Sequence, residues 1–408
     1  MMRKLVICFL FAWQHLLSAQ EASTHRVASA AAEFTSKGES IAASTAGPDL
    51  RVEVTPVGSA PTTLLLTPEK TDVGEGLEIG TLFGISVSAS SRVAAIGITA
   101  NGKSGREGIY GAFVALVDLV TKRWGKHYFV QLERGRAGEA QFLGFLGNSE
   151  KLLVIVQSNT GFDGYVDIAL LDVSDGGIER TRRDLSAFGS VRHAFFDAVN
   201  GRVWLAFQEP TPENQGLHSL ILESIAVVGE MKIGPTVTLA NLRAQGAPAE
   251  WLYPEAMAFP NPKTIVLAET ATSKHGFDRS RVWKVDLDSG SIRYLALPKD
   301  IGRAMVHGLG LTWFEEVTSP AVMSPDARFV VIPIDLSATA PPYIVDNYES
   351  KGSRLVVVDV ERWRRLWSLN PEHGRKPIAF AIDHRDAKVT VLVNWQKDWK
   401  HMTFAVPQ

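Results

Sequence analysis

The chain has 408 residues, longer than one hydrophobic core usually grows, so it must split into domains or repeat a unit about an axis. Its 42 Lys and Arg against 44 Asp and Glu leave it nearly neutral, which disfavours nucleic acid and anionic lipid as partners. The one cysteine, Cys8, excludes a disulfide framework and a cysteine-built metal site.

Met1-Met2-Arg3-Lys4 is followed by an apolar run from Leu5 to Leu17, broken only by Gln14 and His15, and then by Ser18-Ala19. A basic start, a short apolar stretch and a small-residue cleavage site describe a secretory signal peptide over residues 1–19. The run is too short to anchor the chain, and no later segment nears the ~20 apolar residues of a crossing helix, so no membrane span is expected. The mature protein is expected in the periplasm or outside the cell. Residues 20–49, rich in Ala, Ser, Thr and Gly, read as a flexible low-complexity lead-in, leaving 50–408 as one β domain.

Beyond residue 50, short β-branched or aromatic runs are bounded by turn residues, without a convincing amphipathic helix. Pairs of runs recur: Ile85-Ser86-Val87 with Val93 to Ile96, Phe142 to Phe145 with Leu152 to Ile155, and Ala194-Phe195-Phe196 with Val203-Trp204-Leu205. Three more follow at Ala256 to Phe259 with Ile265 to Leu267, Ala321 to Met323 with Phe329 to Ile332, and Ile378 to Phe380 with Val389 to Leu392. A spacing of about 50 to 65 residues suits one four-stranded antiparallel blade with its loops. The expected fold is therefore an all-β, six-bladed β-propeller, with seven blades the less favoured count. Third runs end in Asp118, Asp172, Asp286 and Asp359, each placed to fix the following turn by accepting backbone N–H bonds. The sixth unit lacks a fourth strand, and Leu64 to Lys70 is expected to supply it and close the ring. Two arginine clusters, Arg180, Arg182 and Arg183, then Arg362, Arg364 and Arg365, fall on outer strands and read as edge protection.

The segment Met323-Ser324-Pro325-Asp326-Ala327-Arg328-Phe329-Val330 resembles the TolB-like and YVTN-type bacterial propellers, whose blades turn on Ser-Pro-Asp-Gly. Ala327 stands where glycine is usual. Pro254 to Phe259 with Val282 to Gly290 is similar to the same superfamily. The resemblance implies a binding scaffold, and no particular chemistry.

With the first run innermost, the second-to-third loops and several links between blades are long and emerge on one face. They carry the candidate ligand-binding residues Trp251, Tyr253, Trp313, Tyr343, Asp163, His275 and Asp278. A Gly-x-Ser-x-Gly elbow, a His-Glu-x-x-His helix and a phosphate-cradling glycine loop are all absent from the sequence. The expected function is a non-enzymatic module that binds a protein, peptide or glycan across this face, with no cofactor. The alternative is a metal-dependent hydrolase or lactonase working in the central channel. Glu255 and His193, at starts of inner strands, would then be candidate ligands for a divalent cation such as calcium.

Overall fold

The computed structural model describes residues 30–46, 48–103, 108–132, 138–146, 150–158, 165–184, 191–197, 201–210, 218–227, 232–239, 254–261, 263–269, 281–286, 289, 291–296, 322–324, 326, 328–335, 353–362, 364–369, 379–394 and 399–407. Among them the only helical element is a 3-10 turn at Pro68–Lys70, so no described helix is long and apolar enough to cross a membrane. The expected signal peptide lies outside the described residues.

Strands follow one another as antiparallel neighbours, each sheet taking a contiguous stretch of chain. The first sheet holds β1 (Ala30–Phe34), β2 (Ser40–Ala46), β3 (Asp49–Thr55) and β4 (Thr62–Leu66). The second holds β5 (Leu77–Val87), β6 (Val93–Gly102), β7 (Tyr110–Asp118) and β8 (Arg123–Gln131). The third holds β9 (Gly138–Phe145), β10 (Lys151–Ser158), β11 (Tyr165–Asp172) and β12 (Ile178–Asp184). The fourth holds β13 (Val191–Asp197), β14 (Arg202–Pro210), β15 (His218–Ala226) and β16 (Lys232–Leu239). In the fifth are β17 (Pro254–Asn261), β18 (Thr264–Glu269), β19 (Arg281–Asp286) and β20 (Ile292–Ala296). In the sixth are β21 (Val322–Met323), β22 (Phe329–Asp335), β23 (Ser353–Asp359) and β24 (Arg364–Leu369). The last, among the described residues, has β25 (Ala379–Arg385), β26 (Lys388–Asn394) and β27 (Trp399–Ala405).

First strands touch in one cycle, β1 to β5, β9, β13, β17, β21, β25 and back to β1, so the sheets stand as blades around an axis. Each blade buries both faces, and its residues alternate between two neighbours. On β11, Tyr165, Ala169 and Leu171 pack with Ala95, Val114 and Leu132 of the second sheet. The intervening Val166, Ile168 and Leu170 pack with Val203, Leu205 and Ile225 of the fourth. Burial on both faces explains why these strands read as nearly unbroken apolar runs.

The structure differs from three expectations: the number of blades, the lead-in and the closing strand. Seven sheets are present among the described residues, and the lead-in assigned to 20–49 contains β1 and β2 of the first. Leu64-Leu65-Leu66 lies in β4 and pairs with β3, not with the last sheet. Alternation supplies the physical reason. Ile41, Ala43, Leu50, Val52 and Val54 face the second sheet, while Phe34 and Ala42 face Ala381 and Leu392 of the last. Alanines of low bulk thus serve a two-sided interior. First and last sheets meet there by side-chain packing, by a Ser40 Oγ contact with His401 Nε2 at 3.3 Å and by an Arg385 Nη2 bond to the Thr35 carbonyl.

The four turn aspartates act as expected. Asp118 Oδ1 accepts the Val120 and Thr121 N–H groups, Asp172 Oδ1 that of Ser174, Asp286 Oδ1 that of Ser289, and Asp359 Oδ1 that of Arg362. A second side-chain-fixed turn joins first to second strands: Thr35 Oγ1 accepts Glu39 N–H, Ser88 Oγ accepts Val93 N–H, and Ser324 Oγ accepts Phe329 N–H. Its occurrence at Thr35 marks the first sheet as a member of the repeat. Ser324 also donates to Asp326 Oδ1 at 2.5 Å, and Asp326 Oδ2 meets His384 Nδ1 of the last sheet at 2.7 Å. Burial works to raise the Asp326 carboxyl, but the Ser324 and His384 hydrogen bonds outweigh it and hold the group below its ordinary value.

Candidate functional site

First-to-second and third-to-fourth turns lie on one face of the disc, where side chains knit them to the backbone. Second and fourth strands end, and third strands begin, on the other. On that second face a pocket of about 450 Å³ opens between the second and third sheets, lined by Gln131, Leu132, Asp167, Arg180, Thr181 and Arg182.

Strand register assembles it. Asp167 on β11 stands opposite Arg182 on β12, and Ala169 opposite Arg180, so all four lie on the sheet face that meets the second sheet. Tyr165, two residues before Asp167, shares that face. Arg180 Nη1 donates to Asp167 Oδ2 at 2.6 Å and to the Gln131 carbonyl at 2.7 Å, which ties the third sheet to the end of β8. The Arg182 guanidinium lies over the Tyr165 ring, 3.9 Å from its centroid, within cation–π distance.

Asp167 is only 4 % exposed. Burial pushes its carboxyl up, while Arg180 and then Arg182 pull the other way. A carboxylate this deep stays charged at low cost only beside such partners. Two members of the arginine cluster read as edge protection, Arg180 and Arg182, therefore lie at the pocket on the face towards the second sheet while staying exposed. The signal that could have found it is Asp167 itself, a charge inside the run Tyr165-Val166-Asp167-Ile168-Ala169-Leu170-Leu171.

A second polar group sits where first and last sheets meet. Burial pushes the Glu33 carboxyl from 4.5 up to about 7; the Phe34 N–H works against this, and the charge of Asp383 on β25 adds to it. Asp383 is itself paired with Arg385, Nε to Oδ2 3.0 Å. A folded value above the unfolded one means that the folded chain retains a proton the unfolded chain has released. Stability should therefore fall as pH rises from about 4.5 to 7. Glu33→Gln, which copies the protonated form, should remove that fall and raise stability at neutral pH by about 1 to 2 kcal/mol, the full linkage value being reduced by partial solvent access. Thermal unfolding of both proteins between pH 4 and 8 checks it, and parallel curves would count against it.

Of the sequence-predicted site residues, Trp251, Tyr253, Trp313, Tyr343, Asp163, His275 and Asp278 lie outside the described residues. His193 and Glu255 are placed by backbone on β13 and β17, first strands that touch, each at a register irregularity: His193 pairs with Ala206, and Glu255 falls between the pairs formed by Pro254 and Ala256. Among the described residues no three His, Cys, Asp or Glu groups gather as a metal cluster.

No family model and no curated protein matches the chain. Solved structures do. A chain of the Mitotic Checkpoint Complex superposes with a TM-score of 0.51 at 10% identity, over 92% of this chain and 89% of that one. The WD40 repeats of RRP9 give a TM-score of 0.50 at 10% identity, over 91% and 88%. The β-propeller domain of the Trilobed protease from Pyrococcus furiosus gives 0.47 at 10% identity, over 93% and 96%. With the sheets described above, the first two define the fold as a WD40-like β-propeller.

Proposed function

We propose that this chain is an exported, non-enzymatic propeller module of the TolB-like or YVTN type that binds a protein, peptide or glycan across its long-loop face. The observation that carries the reading is the difference between the two faces. One is closed by turns whose polar side chains are spent on backbone bonds, at Asp118, Asp172, Asp286 and Asp359. The other holds a pocket with two arginines and a buried carboxylate. Rigid scaffolds place binding groups where loops are free of structural duty. Export is supported by the Met1 to Ala19 pattern.

The test is a set of Ala variants at Trp251, Tyr253, Trp313 and Tyr343, with cross-linked capture from the extracellular milieu and mapping of the cross-links. Aromatic anchors on a scaffold typically contribute roughly 2 kcal/mol or more each to binding. The variants should lose capture while unfolding at the wild-type temperature. Early unfolding with capture intact, or cross-links mapped to the turn face, would overturn the reading.

A further inference from the structure

We propose that the outer edge of β27 takes up an extended segment of a partner polypeptide as the fourth strand of the last sheet, with apolar side chains at every second position. The edge lies on the rim, so the inference goes beyond the loop-face reading and borrows from it only the cleavage after Ala19.

The backbone comes first. Val406 N–H donates to the Ala387 carbonyl, and antiparallel bonding alternates from there along the ladder between β26 and β27. The N–H and C=O groups of Trp399, His401, Thr403 and Ala405 therefore point away from β26, and no described backbone bond reaches them. In each of the other six sheets the third strand has a fourth beside it. Burial shows the difference. The third strands β7 and β11 are buried from Gly111 to Val117 and from Tyr165 to Leu171, whereas His401, Thr403 and Ala405 are exposed. A row of donors and acceptors at this spacing is met by another extended strand.

Side chains define what kind of strand. Met402, Phe404 and Val406 pack on the core shared with the sixth sheet, and the Phe404 ring stacks on Trp367 of β24 with centroids 5.0 Å apart. Residues of an incoming strand that stand opposite Met402 and Phe404 share that side of the sheet, so apolar side chains fit there. Protection of a bare edge accounts for less. Charge runs along most of β12, but on β27 Lys400 and His401 are followed by Met402 to Ala405 without any. The uncharged β4 has its Leu65 carbonyl covered by the Trp124 indole N–H.

Neighbouring segments of this chain suit the place poorly. After β27 the Pro407 carbonyl accepts a bond from Arg362, which holds the backbone at the turn face of the sixth sheet. Residues 20–29 would lead from the cleavage site to β1. The shortest gaps between a described fourth strand and the next first strand, 132–137 and 185–190, take six residues, and the shortest fourth strands have five. Only Gln20 to Ser23 would remain for pairing, too few and too polar for a strand.

The test uses the protein beginning at Gln20 and a synthetic peptide of residues 60–70, which contains a fourth strand of this chain, followed by fluorescence anisotropy and amide hydrogen exchange. Binding should slow exchange over 399–405. Of two N-methylated peptides, one blocked at Thr63 and Leu65 and the other at Leu64 and Leu66, one should lose binding and the other keep it, because only alternate amides face β27. Thr403→Pro removes an outward N–H that β26 does not use and should weaken the peptide about tenfold or more, through the lost bond and the bulk of the ring. Thr403 also bonds Thr390 through its hydroxyl, so Ala405→Pro, which costs no side-chain bond, keeps the test in place if the first variant folds poorly.

Unchanged exchange over 399–405, equal binding of both N-methylated peptides, or an affinity untouched by both proline variants would overturn the proposal. So would a dimer joined through 399–405 that the peptide dissolves, which assigns the edge to a second copy, or binding gained only when residues 20–29 are removed, which assigns it to the chain itself. N-terminal sequencing of the secreted protein checks the cleavage separately. Loop-aromatic variants that lose capture while still binding the peptide keep the rim and the loop face apart.

Discussion

A chain shortened to begin at residue 50 should fail to accumulate as folded protein, although composition alone marks what is removed as dispensable. The cut deletes β1 and β2, and with them Ile41 and Ala43, which are fully buried against Leu50, Val52 and the second sheet. Losing the Ile41 side chain alone, as Ile41→Ala, should cost about 2 to 5 kcal/mol. The whole deletion also exposes the seam face of the last sheet at Ala381 and Leu392 and takes away the Thr35 carbonyl that Arg385 bonds. Against a total stability of about 5 to 15 kcal/mol, that sum leaves no folded state. Soluble yield and near-ultraviolet circular dichroism decide the matter. A shortened chain that melts like the intact one would show that the first sheet is not part of the ring.

Arg180→Met should be the most damaging single change near the pocket. It leaves Asp167 buried beside apolar neighbours, and breaking such a pair commonly costs 3 to 5 kcal/mol; with the Arg180 side chain 35% exposed, about 2 to 3 is expected. The sign of its pH dependence follows from burial. Without Arg180 the Asp167 carboxyl rises further, so the variant takes up a proton on folding, and its deficit shrinks as pH falls towards the value of an unfolded aspartate. Asp167→Asn in the same chain should recover much of the loss at neutral pH, because a neutral amide is less costly to bury than an unpaired charge. Denaturant titration of the single and double variants at pH 5 and pH 8 measures both effects. A deficit that does not change with pH would mean that Arg182 alone is enough to hold Asp167 charged.

Six of the seven sheets found among the described residues were legible because their strands are largely apolar, so pairs such as Val93 to Ile96 or Val389 to Leu392 stand out from the turns around them. The turn aspartates were legible for a related reason, since each ends a third strand at one position in its unit. The first sheet was hidden by its side chains. Ala42, Ala43 and Thr45 are buried in a two-sided interior and Ala30-Ala31-Ala32 half-buried beside them, but both stretches have the composition of a linker. Missing it forced the strand at Leu64 to Leu66 to be lent to the last blade. The pocket was hidden differently. Arg180 and Arg182 sit on an outer strand, where charge is ordinary, and only the register across β11 and β12 turns them onto Asp167. Sequence spacing carries no information on that pairing until both strands are placed.

Because every sheet is drawn from one contiguous stretch of chain, all described strand pairings join neighbours in sequence. As the polypeptide emerges from a ribosome or a translocation pore, each blade can hydrogen-bond itself as soon as its last strand appears, and no early strand waits with an open edge for a late partner. Contacts between strands that are far apart in sequence are slow to form and leave unpaired edges exposed to aggregation. Among the described contacts, the docking of the last sheet on the first joins the residues farthest apart in sequence, where Phe34 meets Leu392 and Ser40 meets His401. The slow step should therefore come at the end and involve side chains, with the backbone ladders already complete.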